Sequence, residues 1–359
     1  MIDRLIIKNF KCFEEQEFNF GKLNLLCGAN ASGKSTTVHA LLLLAENTGL
    51  VKGQNPFLNR GGLQLGTFRE IRCQRINESV IHIDAKRGEI SRKLVMEEVK
   101  DQGLVIKETV ETLQLLLNKN FFYLSAGRVG VVDIHEATDE KLSFGFNGEF
   151  VVSFLAKYFQ RAIWQEYNYE GDDAKSTLGA QVNYWFKRIT GSEVIPSKVD
   201  DTNKAKVMFE KSDSGLEDTF STRSFNTGSG LSYVLAVLVL GLGVGVQSLN
   251  SDNEPKIIVI ENPEIHLHPR GQVELAKFIS FISKTCQVIL ETHSDHILNG
   301  VRICVREKLL NNNDVAIYSF EHISKGVFPE KISLNPDGKP DKWPETFFDE
   351  YMKSLAEMI

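Results

Sequence analysis

The chain has 359 residues, 42% hydrophobic and 25% charged, which excludes a disordered, collagenous or low-complexity protein. Its net charge of −6 excludes a surface that is basic all over, so any nucleic-acid contact must use a local patch. The five cysteines, Cys12, Cys27, Cys73, Cys286 and Cys304, are odd in number and form no CxxC pair. They predict neither a disulfide framework nor a thiolate zinc site, and a reducing cytoplasm is the expected setting.

From the N-terminus, Leu5, Ile7 and Phe10 mark a short strand, and LNLLC (23–27) is an apolar run of buried-strand type. GANASGKS follows at once and leads into the helical pattern TTVHALLLLAEN. Gly28, Gly33, Lys34 and Ser35 satisfy GxxxxGK[ST] between a strand and a helix, the context this motif requires. Its glycines let the backbone wrap a phosphate, with N–H groups and the helix N-terminus turned toward the anion. Lys34 is expected to reach the β/γ-phosphates and the Ser35 hydroxyl to ligate Mg²⁺. Asn30, Ala31, Ser32 and Thr36 complete the expected ATP-binding loop.

Residues 60–95, with SVIHIDA (79–85), predict antiparallel strands, and the Glu-, Lys- and Leu-rich stretch 91–120 predicts helix. Residues 149–190 read as largely helical, with AKYFQRAIWQEY and LGAQVNYWFKRI separated by the turn NYEGDDAKS. Short strands are expected over 200–225. The uncharged stretch Ser224–Ser251 contains a dense apolar part of only 16 residues, Leu231–Val246. That is shorter than a membrane span, so a buried helix and no membrane partner are expected.

From 226 onward helices alternate with the strands KIIVI (256–260), QVILET (287–292) and DVAIYSF (314–320), predicting a parallel α/β sheet. The first of these ends at Glu261, a carboxylate placed to hold an Mg²⁺-bound water. The second ends at His293, where a polar group senses the γ-phosphate from a neighbouring strand. His266, His268, His293 and His296 have zinc-like spacings, but no cysteine joins them and zinc is not expected. The basic cluster Arg69, Arg72, Arg75, Lys86, Arg87, Arg92 and Lys93 is interleaved with acids and reads first as a solvated face, second as a DNA or partner contact.

Together these segments resemble an ABC-type ATPase head of the SMC, RecF and OLD-like AAA group. IDRLIIKNFKCFEEQEFNF is similar to the opening strand pair of such heads and GANASGKS to their Walker A loop. ENPEIHLHPRGQ resembles their Walker B and D-loop, and ETHSDHILNG their switch-histidine loop. SFNTGSGLSYVL stands where the ABC signature belongs, and its departure from LSGGQ leaves Gly228, Ser229 and Gly230 as the phosphate-facing turn. With FFYLSAGRVG, QVNYWF and DKWPETFFDE, the match narrows to bacterial ATPases associated with anti-phage defence loci.

The resemblance implies an α/β P-loop NTPase with a mixed-sheet core, an antiparallel subdomain and a helical insertion. It divides the chain into 1–95 and 206–359, the two parts of the ATPase head, and 96–205, a mainly helical lobe. It implies a homodimer sandwiching two ATP molecules, each between one head's Walker A loop and the other's signature turn. Only 66 residues follow His293, and they are expected to be the last strands and helix of the ATPase rather than the nuclease domain that OLD-like proteins carry.

One departure bears on mechanism. The catalytic-glutamate position after Glu261 holds Asn262, whose amide cannot take a proton from water. General-base assistance of roughly 10²–10⁴-fold would be missing. Glu264 or His293 is then expected to polarise the water, with slow turnover. An ATP-gated switch over a separate effector, a nuclease or toxin, is the first functional expectation. A DNA-clamping ATPase and a nucleotide-binding dimer without turnover follow it.

Overall fold

The computed structural model describes residues 1–100, 102–111, 120–169, 176–211, 220–249, 256–323 and 326–343. Its first element is a hairpin, β1 (Arg4–Phe10) and β2 (Phe13–Asn19), paired with Ile7 opposite Gln16 and Phe10 opposite Phe13. Asn9 and Lys11 take positive φ around the tight connection. The Asn9 side chain fixes the bend, donating to the Val80 carbonyl at 2.8 Å and accepting from the Cys73 N–H.

β4 (Val80–Arg87), β5 (Ile90–Val99) and β6 (Gly103–Glu111) extend the hairpin to an antiparallel sheet ordered β2-β1-β4-β5-β6. Period-2 alternation turns Leu5, Ile7, Ile81, Ile83, Leu94 and Met96 inward. The opposite face carries cross-strand ion pairs, among them Lys8–Glu15, Lys93–Glu108 and Lys107–Glu97. Three members of the basic cluster seen in the sequence are ion-paired, since Lys86 also meets Asp84 along its strand and Arg75 meets Glu14. A fourth, Arg92, is fully buried and donates to the Asn47 carbonyl.

The second sheet is ordered β15-β14-β3-β13-β12-β7. β3 (Leu23–Gly28) lies parallel between β13 (Gln287–Thr292) and β14 (Val315–Ile323). β12 (Ile257–Glu261) lies parallel between β13 and β7 (Phe121–Leu124), and β15 (Gly326–Ile332) closes one edge antiparallel. Every residue of β3, β12 and β13 is buried, as strands of a sheet covered on both faces must be. α1 (Lys34–Glu46) packs between the two sheets, its Val38, Leu41, Leu42 and Leu44 within their shared core.

A second core lies on the other face of this sheet. It joins α3 (Val151–Tyr158), α4 (Leu178–Thr190), α5 (Gly230–Gly243), α6 (Pro269–Ile282) and α7 (Asp295–Arg306). A short α2 (Phe68–Ile71) sits under the first sheet, opened by a Thr67–Glu70 capping box. A small sheet of β11 (Phe220–Arg223), β10 (Lys204–Lys211) and β8 (His135–Glu136), with β9 (Ser192–Val199) on β10, packs against α3 and α4. The apolar segment after Ser224 is the buried helix α5, and no helix among the described residues is long and apolar enough to cross a membrane.

The α/β fold matches the expectation, but two local readings do not. Residues 91–99 and 103–111 lie in the strands β5 and β6 rather than in a helix, because Val95, Val99, Val105, Ile106, Thr109 and Val110 are β-branched and suit a pleated sheet. Residues 112–119, from the same expectation, lie outside the described residues, as does most of NYEGDDAKS. AKYFQRAIWQEY leaves the helix at Tyr158. Ala162 and Ile163 then bridge to Thr177 and Val246, so tertiary pairing overrides helix propensity. The stretch 96–205 is therefore mixed rather than mainly helical, and residue 95 falls inside β5.

Candidate functional site

The loop after β3 is shaped for close approach. Gly28, Ala31 and Gly33 have φ of 141°, 58° and 98°. A Cβ on Gly28 would lie 2.4 Å from the Phe320 carbonyl oxygen, and one on Gly33 2.7 Å from Cys12 Sγ, so both positions need glycine. α1 begins at Lys34 with no side chain capping its N-terminus. Exposed Asn30 and Ala31 form the rim, and Ser32, Lys34 and Thr36 are buried. A cavity of about 350 Å³ opens here, lined by Lys11, Cys12, residues 30–36, Asn262, Glu291 and His293.

The Lys34 ammonium crosses the loop, donating to the carbonyls of Gly28 (3.0 Å) and Ala29 (2.6 Å). Burial lowers its pKa, opposed by the nearby charge of Glu291. The Ser35 hydroxyl donates to Glu291 Oε1 at 2.9 Å. Glu291 lies on β13, the strand between the phosphate loop and β12, in register with Glu261. Its carboxyl is pushed up to about 7, first by burial and then by the charge of Glu261. Glu261 Oε2 accepts from the Ala126 N–H at 3.0 Å.

The turn after Glu261 is held by a buried arginine. Arg128 donates from Nη1 to the carbonyls of Ser125 (3.0 Å) and Glu261 (2.6 Å), and from Nη2 to that of Asn262. Its guanidinium carbon stands 5.7 Å from the ring centroid of Tyr233. Asn262 has φ 43°, and its N–H donates to the Glu291 carbonyl. Glu264 does not line the cavity; its Oε1 accepts from the His293 N–H at 2.8 Å, and burial raises its pKa. The His293 ring reaches the cavity with a hydrogen bond to the Gly28 backbone, and burial followed by the Lys34 charge lowers its pKa.

The residues expected to bind ATP thus divide into two groups. Those of 30–36 form the cavity with His293, whereas Gly228, Ser229 and Gly230, at the start of α5, do not line it. There a Cβ on Gly230 would meet the His266 carbonyl oxygen at 2.4 Å, so the turn is seated on the loop that follows Glu261. His266 itself packs against Tyr233 with the rings tilted by 60°, and His268 caps α6 through Nδ1.

Glu291 and Arg128 were not singled out in the sequence. Their signals were a carboxylate ending an apolar strand two residues before His293, and the one charge in FFYLSAGRVG. The donor set suits the groups the motif implies. A glycine loop on a helix N-terminus fits a triphosphate, and a hydroxyl with two carboxylates fits Mg²⁺, a hard cation that prefers oxygen. Glu291 Oε2 is buried without a hydrogen-bond partner among the described residues, an oxygen still available to a cation.

Comparison with known proteins agrees with this geometry. In fold, the chain is similar to an Smc head bound to the C-terminal winged-helix domain of ScpA, with 13% identity and a TM-score of 0.53. That match covers 93% of this chain and 98% of the other. It is likewise similar to an Smc head with an extended coiled coil, bound to the C-terminal domain of ScpA from Pyrococcus furiosus. There the identity is 13%, the TM-score 0.51, and the coverage 99% of both chains. No curated protein matches. Residues 310–358 match a family described as protein of unknown function (DUF3696). Residues 1–141 and 164–298, which hold the phosphate loop, Arg128, Glu261 and Glu291, match the family described as AAA ATPase domain, and the chain belongs to that family.

Proposed function

We propose that this protein is an ATP-gated switch: two copies close on two Mg·ATP, hydrolyse it slowly, and in closing control a separate effector, a nuclease or toxin. The observation that carries this reading is the division of the nucleotide residues. Lys34 and Ser35 sit in one cavity, while Gly228–Gly230 sit outside it on the same chain, so one copy supplies only half of an enclosed site. A second copy presenting its turn would complete it, with the nucleotide as the glue. The motif resemblance is what supports an anti-phage setting and a cytoplasmic location.

In this reading the backbone of 30–36 holds the phosphates, and Lys34 exchanges loop carbonyls for phosphate oxygens. Bound Mg²⁺ supplies charge neutralisation at the β- and γ-phosphates. Ser35 and the carboxylate pair Glu291 and Glu261, of which Glu291 lines the cavity, are the groups that would neutralise and hold it. Asn262 supplies no base, which supports slow turnover. Glu264 holds the backbone of His293, whose ring lines the cavity. There the ring would orient water beside the γ-phosphate.

The SMC-head fold supports a second reading equally well, a DNA-clamping ATPase. ATP turnover of the purified protein, with and without DNA, beside Lys34→Ala and Glu261→Gln, separates them. Slow turnover lost in both variants and indifferent to DNA supports the switch. DNA-stimulated, salt-sensitive turnover supports the clamp. Equal turnover by wild type and Lys34→Ala would end the claim of hydrolysis.

A further inference from the structure

We propose that Glu291, rather than Glu261, is the carboxylate that meets the magnesium ion beside Ser35, with Glu261 as the outer member of the pair. The inference deepens the nucleotide reading of this site and rests on it.

Position is the first argument. Glu291 ends β13, the immediate neighbour of the phosphate-loop strand, whereas Glu261 ends β12, one strand further out. Only Glu291 touches the P-loop hydroxyl, at 2.9 Å, and only Glu291 of the two lines the cavity. Glu261 is engaged elsewhere, its Oε2 by the Ala126 N–H and its carbonyl by Arg128.

The second argument is an unmet need. Glu291 is 5% exposed, yet its Oε2 has no hydrogen-bond partner among the described residues. A buried carboxylate oxygen left so is costly unless a donor or a cation meets it. The acid next in register, Glu261, is 9% exposed, and two like charges side by side favour a cation between or beside them. No group of three or more acidic, histidine or cysteine side chains is arranged to hold a metal among the described residues. The ion is therefore held jointly with the nucleotide, as Mg²⁺ commonly is, by one or two carboxylates plus phosphate oxygens.

The test is equilibrium binding of a fluorescent ATP analogue in Mg²⁺ and in EDTA, for wild type, Glu291→Gln and Glu261→Gln. Glutamine retains an oxygen for the Ser35 hydroxyl, and binding in EDTA reports that the site is folded. Wild type is expected to bind about tenfold or more tighter with Mg²⁺ than without. Glu291→Gln should bring that ratio to within about twofold while binding in EDTA holds or tightens, because a negative charge beside the phosphates is gone. Glu261→Gln should keep most of the ratio. A full metal dependence in Glu291→Gln, or its loss only in Glu261→Gln, would overturn the assignment and leave the nucleotide reading standing. No binding by wild type in either condition would overturn both.

Discussion

Glu264 and His293 are joined through the backbone: Glu264 Oε1 accepts the His293 N–H at 2.8 Å. The loop after β12 and the loop after β13 are thus tied at the point where both face the phosphate loop. Arg128 ties the same turn from the other side through the carbonyls of Glu261 and Asn262. A movement of His293 on nucleotide contact would be transmitted to Glu264, and from there to the segment on which Gly230 is seated.

That tether gives a first expectation. Arg128→Ala leaves buried carbonyls without a donor and opens space under Tyr233, and should cost about 2–4 kcal/mol. Urea denaturation measures it. Turnover should fall with it, since the turn carrying Glu261 and Asn262 loses its anchor.

Asn262 gives the second. If the missing base limits turnover, Asn262→Glu should raise the rate of ATP hydrolysis by about tenfold to a hundredfold. The positive φ at this position, 43°, should reduce stability by about 1 kcal/mol. An unchanged single-turnover rate would show that proton abstraction is not the slow step.

Gly230 gives the third. Its missing side chain admits the His266 carbonyl, and Gly230→Ala must displace that contact. Because this turn shares no cavity with the phosphate loop, the variant should bind ATP within about threefold of wild type by calorimetry. It should lose ATP-driven self-association in sedimentation.

The fourth concerns acid. Lys11 Nζ lies 2.7 Å from His39 Nδ1, and burial followed by the Lys11 charge lowers the His39 pKa to about 4. The imidazole is neutral in the folded protein and titrates near its ordinary value when unfolded. Its contribution to stability is full above about 6.5 and is lost as pH falls toward 4. Between pH 7 and 5 the loss is on the order of 2 kcal/mol. Glu291 acts oppositely over the same range, its raised carboxyl gaining a proton in the folded state. The readout is therefore the difference between wild type and His39→Gln in denaturation at the two pH values, and that difference should narrow at pH 5.

The legibility of this protein in its sequence was uneven for physical reasons. GANASGKS was plain because phosphate wrapping needs glycines and a lysine at fixed spacing within a few residues. The apolar runs at 257–260 and 288–290 announced parallel strands, since burial on both faces removes alternation. Residues 91–99 and 103–111 misled because their Glu and Lys favour helices, while the β-branched Val, Ile and Thr among them favour a sheet. Glu291 was hidden for another reason. Its meaning depends on β13 lying between β3 and β12, and strand order is a tertiary fact that spacing along the chain does not carry. Arg128 was hidden likewise, since two of its three carbonyl partners lie more than 130 residues away.

The central claim, that ATP joins two copies through a site each copy half supplies, is tested most directly by sedimentation velocity. Wild type would be compared without nucleotide, with ATP and Mg²⁺, and beside Lys34→Ala and Gly230→Ala. The account predicts a monomer that becomes a dimer with Mg·ATP, and no such shift in either variant. A wild type that stays monomeric when saturated with Mg·ATP, or that is equally dimeric without it, would contradict the account.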